Sequence, residues 1–272
     1  MARPLRSRGE EADVSGGPGG GKREGRKPLA GKTALVTGSA RRLGRETALA
    51  LAEEGADVIV HYPGSVGDAE RTAEDVRQLG ARSWTIAADL SDPAGSGSLV
   101  TRAAGLAGGI DLLVNNAAVF PADRLADVPV EDFASTLRVN ALGPLILSRA
   151  FAGEAEGEAV VNLLDTRIAV DDPTHASYVA SKRLLWALTR MLAIELAPRV
   201  RVNAVAPGLI LPPPGRDAAW LRKAAPDDNP LGRAGTGRDV AEAVTFLLAS
   251  EFITGQVVFV DGGRHLRGSE RA

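Results

Sequence analysis

Seven short runs rich in Val, Ile, Leu and Ala punctuate this 272-residue chain, and they constrain its fold more than any other feature. They fall at 33–37 (TALVT), 56–62 (ADVIVHY), 83–89 (SWTIAAD), 110–117 (IDLLVNNA), 159–165 (AVVNLLD), 200–206 (VRVNAVA) and 256–261 (QVVFVD). Their apolar residues are nearly continuous rather than alternating, as in strands buried on both faces. Helical patterns lie between them, for example 43–54 (LGRETALALAEE) and 178–196 (YVASKRLLWALTRMLAIEL). Strand then helix, repeated, predicts right-handed crossovers and an α/β fold: a single doubly wound, seven-stranded parallel sheet flanked by helices. Ligands on such sheets bind at the carboxyl ends of the strands, where the winding reverses.

Composition narrows the chemistry. The absence of cysteine excludes a disulfide framework, a zinc–cysteine site, an iron–sulfur cluster and a thiol nucleophile. The three histidines, His61, His175 and His265, are too far apart in sequence to suggest a metal site. A net charge of −2 gives no general attraction to nucleic acid or an anionic membrane, and no run approaches the ~18 apolar residues of a membrane span. The expectation is a cytoplasmic protein acting on a small molecule, with neither nucleic acid nor membrane as partner. Residues 1–27 carry seven glycines and seven Lys/Arg with few apolar side chains, so they are expected to form a disordered tail ahead of a domain at 28–272. Two phosphate-loop look-alikes, Gly16–Lys22 and Gly31-Lys32-Thr33, each lack a required residue and follow no apolar strand.

The first strand runs into Thr37-Gly38-Ser39-Ala40-Arg41-Arg42-Leu43-Gly44 and then a helix. Glycines let the backbone approach a pyrophosphate, and the helix start offers unpaired N–H groups. An ordinary tight strand–helix turn would read similarly. An NAD site usually carries a carboxylate at the end of strand two, but here that strand ends His61-Tyr62-Pro63-Gly64-Ser65, without an acid. Arg41 and Arg42 could instead pair with a 2′-phosphate, which favours NADPH over NADH; they could also be solvated surface charge.

Tyr178 and Lys182 are four apart on a predicted helix and share one face. A nearby ammonium would lower the phenol's pKa from ~10 and fit it for proton transfer. With the glycine turn, Asn115-Asn116-Ala117, Asn140 and Pro207-Gly208, this pair resembles the short-chain dehydrogenase/reductase family over roughly residues 29–266. The resemblance implies a homotetrameric Rossmann-fold oxidoreductase that moves hydride from a nicotinamide. Tyr178 would be the proton donor, Lys182 would bind ribose and tune Tyr178, and Asn140 would help hold a relay water. Asp89 and Leu90 would flank the adenine, Asn115 and Ala117 would line the cofactor groove, and Pro207 and Gly208 would lie near the nicotinamide.

Two departures from the family pattern occur together. Arg42 replaces a glycine of the turn, and Asp165 stands thirteen residues before the tyrosine, where the family usually has serine. A carboxylate cannot donate to a substrate carbonyl and would repel a developing alkoxide. Asp165 suits a substrate that presents N–H groups, or, if protonated, one that needs protonation at a ring nitrogen. Both departures, with His61, Tyr62, Ser65 and Phe120, resemble the pteridine reductase and dihydromonapterin/dihydrofolate reductase subgroup. That likeness implies that Arg42 contacts cofactor phosphate and the pterin edge, and that Phe120 sandwiches the pterin. It further implies that Asp165 with Tyr178 protonates the ring, and that His61 and Ser65 lie near the 2′-phosphate. Gly64 departs from the subgroup, which often has a phosphate-binding arginine there, and Ala118 lacks a hydroxyl some members use.

Alternatives stay open at this point. Asp165 could pair with Arg167 while Thr166 supplies the hydroxyl an ordinary ketone reductase needs, and Phe120 could simply pack on the core. The functions in contention are an NADPH-dependent pterin or dihydropterin reductase, a short-chain reductase of an oxoacyl, quinone or similar carbonyl, and a non-enzymatic NADP-binding sensor.

Overall fold

A computed structural model describes residues 27–154, 156–213 and 215–267; the expected tail, apart from Lys27, lies outside the described residues, as does Gly16–Lys22. In chain order the elements begin β1 (Thr33–Val36), α1 (Arg42–Glu53), β2 (Asp57–Tyr62), α2 (Val66–Gln78), β3 (Ser83–Ala87), α3 (Pro93–Ala107) and β4 (Leu112–Asn115). Then follow α4 (Val130–Leu137), a π-helical turn (Arg138–Leu142), α5 (Gly143–Gly153), β5 (Ala159–Leu163), a 3₁₀ turn (Thr166–Ala169) and α6 (Ala176–Glu195). β6 (Arg201–Pro207), α7 (Ala218–Asp228), α8 (Gly237–Ala249) and β7 (Val257–Val260) complete the fold. All seven expected strands and both quoted helices form.

The sheet is parallel throughout, in the order β3-β2-β1-β4-β5-β6-β7. Winding therefore reverses between β1 and β4, and Val36 lies level with both Val60 and Val114. The loops after these strands converge on one edge.

Period-two alternation within each strand feeds two cores. Ala34, Val36, Val58, Val60 and Val114 pack with Leu51 of α1, Val76 of α2 and Val244 of α8. Leu35, Ile59, Leu113 and Val160 point the other way, against Leu99 of α3, Leu147 and Phe151 of α5 and Leu192 of α6. Every one of these is essentially inaccessible to solvent. Each buried Val or Leu contributes roughly 1.5–3 kcal/mol, which is why doubly apolar strands declare themselves in sequence. Among the described residues no helix is long and apolar enough to cross a membrane, and no cluster of His, Asp and Glu could hold a metal ion.

Candidate active site

The turn after β1 is built by close backbone approach. Thr37 Oγ1 accepts from the amides of Asn116 (2.9 Å) and Ala117 (3.0 Å), tying the exits of β1 and β4 together. Asn116 Nδ2 donates to Thr37 O at 2.8 Å. Gly38 is left-handed at φ +64°, and a Cβ there would sit 3.0 Å from Ala117 Cα. At Gly44 a Cβ would collide with the carbonyl of Gly38 and lie 2.6 Å from Asn116 Nδ2. Only glycine fits either position. A groove lined by Gly38, Arg41, Arg42, Leu43, Gly44, Pro63, Ser65, Asn116 and Ala117 opens at the amino end of α1. This cradle of bare backbone, a helix start and arginines fits a dinucleotide's phosphates.

Three expectations at this groove need correction. His61 is buried, not near a phosphate: its Nδ1 accepts from the amide of Gly38 (3.0 Å), and its Nε2 faces Ala88 O at 3.1 Å. One nitrogen accepts and the other donates, so the ring is neutral, and burial pushes its pKa down to about 4, opposed by the Ala88 contact and reinforced by Arg102. His61 shapes the turn from below. Arg42 lines the groove as expected, and its guanidinium also reaches the loop after β6, donating to Pro212 O at 3.0 Å. Its backbone holds φ +53°, keeping the left-handed geometry of the glycine it replaces. Asn115 is displaced by alternation: its amide is buried against α5 and β5, donating to Asn162 Oδ1 (2.8 Å) and Ser148 Oγ (3.3 Å). Asn116 and Ala117 line the groove instead. Leu90 packs its side chain into the core with Ile86 and Leu99.

Asp89 is exposed just after β3 and accepts from the Ser91 amide at 2.8 Å. Tyr62 is half-buried at the end of β2. Pro207 ends β6, and Gly208 packs so tightly that a Cβ would lie 2.6 Å from that of Asp261. The expected lack of an acid near strand two holds only for the loop itself. Asp68, in the first turn of α2, pairs with Arg41 at 3.4 Å and also with Arg71.

On the opposite side of the cleft α6 aligns Tyr178 and Lys182. Asp123 fixes the start of this helix, accepting from the amide and hydroxyl of Ser177. The Tyr178 hydroxyl donates to Asp165 Oδ2 at 3.0 Å, so the carboxylate is aimed at the reactive phenol. Asp165 also accepts from the Arg167 amide (2.8 Å) and pairs with its guanidinium (3.2 Å). Every one of these partners donates. This arrangement suits Asp165 to accept hydrogen bonds. Thr166 does not fill the serine role either, because its hydroxyl is buried and given to Asp261 Oδ2 at 2.6 Å. Hydrogen bonds from Thr166, His265 and Gly263 overcome the burial of Asp261 and hold its carboxyl below the usual carboxylate range.

The phenol is not tuned downward as expected. Burial, then the Asp165 carboxylate, push the Tyr178 pKa well above its ordinary value. Lys182 lies under the ring, 5.7 Å from its centroid, and donates to Leu163 O at 2.6 Å. Complete burial lowers the Lys182 pKa to about 8. Asn140, in the π-helical turn, spends its side chain on the backbone of Val119 (2.8 and 2.9 Å) and on Ser181 Oγ (3.0 Å). Its amide therefore pins the Val119–Phe120 loop to α6.

Phe120 is half-exposed at the mouth of this site. Its ring stacks on His175 at 4.1 Å, meets Tyr178 edge-on at 4.5 Å, and lies 5.2 Å from the Arg167 guanidinium. Sequence reasoning missed Asp172, which joins Arg167 (3.0 Å) to His175 (3.1 Å) and completes the wall. The closely spaced acids and bases of segment 165–175 were the available signal.

Comparison with known proteins agrees with this geometry. A family model described as enoyl-(acyl carrier protein) reductase matches residues 38–265. The chain is 35% identical over 243 residues to the 3-oxoacyl-(acyl-carrier-protein) reductase of Staphylococcus aureus, covering 86% of this chain and 98% of that protein. The structure of the alternative dihydrofolate reductase 1 FolM from Brucella canis, complexed with NADP, superposes with a TM-score of 0.82 at 33% identity, covering 88% of this chain and 96% of that one. A short-chain dehydrogenase from Burkholderia cenocepacia in complex with NADP gives 0.80 at 35%, covering 87% and 99%. With a matching family model, relatives of this identity and coverage, and the Tyr178–Lys182 pair set beside a glycine cradle, the chain belongs to the short-chain dehydrogenase/reductase family.

Proposed function

We propose that this protein is an NADP(H)-dependent reductase acting on a pterin, dihydropterin or dihydrofolate-type ring. The observation that carries this reading is the Tyr178–Asp165 hydrogen bond, with a carboxylate where a carbonyl reductase of the family needs a donor. Bound NADPH supplies the hydride. The chain supplies the accompanying proton, from the Tyr178 hydroxyl to the reduced ring nitrogen. Asp165 then serves as acceptor for N–H groups on the substrate's edge, a role its partners in the free site already rehearse. The buried Lys182 ammonium offsets the charge left on Tyr178 when the proton departs. Arg41 beside Ser65 supports NADPH over NADH. The likeness to FolM, crystallised with NADP, supports the same substrate class and cofactor.

A second reading rests on Arg167. Its guanidinium neutralises Asp165 and brings an N–H donor beside Tyr178, so a carbonyl oxygen could accept from both. On that reading the protein reduces an oxoacyl or quinone carbonyl, as the Staphylococcus relative's name describes for that protein. A homotetramer fits either reading, because the outer face of α6 leaves Met191 and Ile194 exposed.

NADPH oxidation measured with dihydrobiopterin, dihydromonapterin and dihydrofolate, beside a thioester ketone and a quinone, separates the two. Turnover of at least one dihydropterin is expected; turnover of carbonyls alone overturns the first reading.

A further inference from the structure

We propose that Arg71, on α2 and outside the groove itself, sets the preference for a 2′-phosphorylated cofactor by drawing Asp68 away from Arg41. The inference rests on the NADP(H) reading above and deepens it.

Gly64 leaves the loop after β2 without a cationic side chain. Asp68, three-quarters buried, lies in the first turn of α2, where a carboxylate is favoured. Two arginines converge on it from different elements. Arg41 reaches down from the glycine turn, its Nε 3.4 Å from Asp68 Oδ2, and Arg71 reaches back one turn along α2 to Asp68 Oδ1. Spacing of three residues puts Arg71 and Asp68 on one helix face.

Charge counting decides what each arginine does. Arg41 lines the groove together with Ser65, whereas Arg71 does not. If Asp68 faced Arg41 alone, the two would cancel and this rim would be neutral towards a phosphate dianion. A carboxylate there would also be free to accept from the 2′-hydroxyl of NADH. With Arg71 on the other carboxylate oxygen, the cluster keeps one net positive charge, and the exposed Arg41 can turn towards the groove. Arg71 is thus a positioning residue that acts through Asp68. Both guanidiniums are mostly solvent-exposed, so its effect is modest and weakens with salt.

The test is equilibrium binding of NADPH and NADH, followed by nucleotide fluorescence at low ionic strength, with no substrate present. Arg71→Gln is expected to weaken NADPH about fivefold and leave NADH within twofold, and Arg71→Lys to keep most of the preference. Adding Asp68→Asn to Arg71→Gln is expected to restore NADPH affinity, which no loss of folding could mimic. If the unmodified protein prefers NADPH but Arg71→Gln leaves the ratio unchanged, or the double variant fails to recover, the role of Arg71 is refuted and the cofactor assignment stands. Equal affinity of the unmodified protein for both nucleotides overturns the cofactor assignment, and the inference with it.

Discussion

The amide of Gly38 donates to Nδ1 of His61 at 3.0 Å, joining the cofactor turn to the strand behind it through a ring that must stay neutral to accept that bond. Burial lowers the pKa of this histidine from 6.5 to about 4. The unfolded chain therefore binds a proton between those values that the folded chain refuses, and stability rises with pH across that window. Acidification from pH 6.5 to 4 is expected to cost about 3 kcal/mol through His61 alone. Urea unfolding at several pH values checks this, and His61→Gln should flatten the dependence in that range.

Arg42 occupies a left-handed backbone position in a turn whose family pattern has glycine. A side chain in that region costs about 1–2 kcal/mol, so glycine should outperform alanine here, the reverse of their order within a helix. Arg42→Gly is expected to be about 1 kcal/mol more stable than Arg42→Ala in chemical denaturation. Both variants lose the contact with Pro212, so amide exchange at Leu209, Ile210 and Leu211 should quicken equally in the two.

Lys182 is fully buried beneath Tyr178, and its pKa falls to about 8. Its ammonium is present below that pH and lost above it. If that charge offsets the phenolate as the proton leaves, the kcat/KM for reduction should decline above pH 8. Lys182→Met should remove that limb and lower the rate at pH 7; an unchanged limb would assign it to another group.

Tyr178→Phe removes the transferable proton, and a loss of about 10²–10⁴ in kcat is expected, with nucleotide affinity little altered. Single-turnover kinetics alongside nucleotide binding distinguishes the two effects.

The sheet was legible because its strands are buried on both faces, so Leu35-Val36 or Leu113-Val114 could belong to little else. The cofactor turn was legible for a related reason, since Gly38 and Gly44 are demanded by backbone approach that no other residue permits. Side-chain direction was not. A one-residue offset moved the groove-lining role from Asn115 to Asn116, because neighbours on a strand point to opposite faces. Contacts between distant segments were equally hidden: nothing in sequence joins Thr166 to Asp261 or Arg42 to Pro212. The sign of the shift at Tyr178 was misjudged because the ammonium was weighed without the opposing burial and the Asp165 carboxylate.

The proposed role of Asp165 in the choice of substrate is tested most directly by the ratio of kcat/KM for a dihydropterin to that for a simple ketone, in the unmodified protein and in Asp165→Ser. A carboxylate that accepts from ring N–H groups should make that ratio fall at least tenfold on substitution, with ketone turnover held or raised. A ratio that stays constant, or shifts towards the dihydropterin, would show that Asp165 serves Arg167 and the fold rather than the substrate.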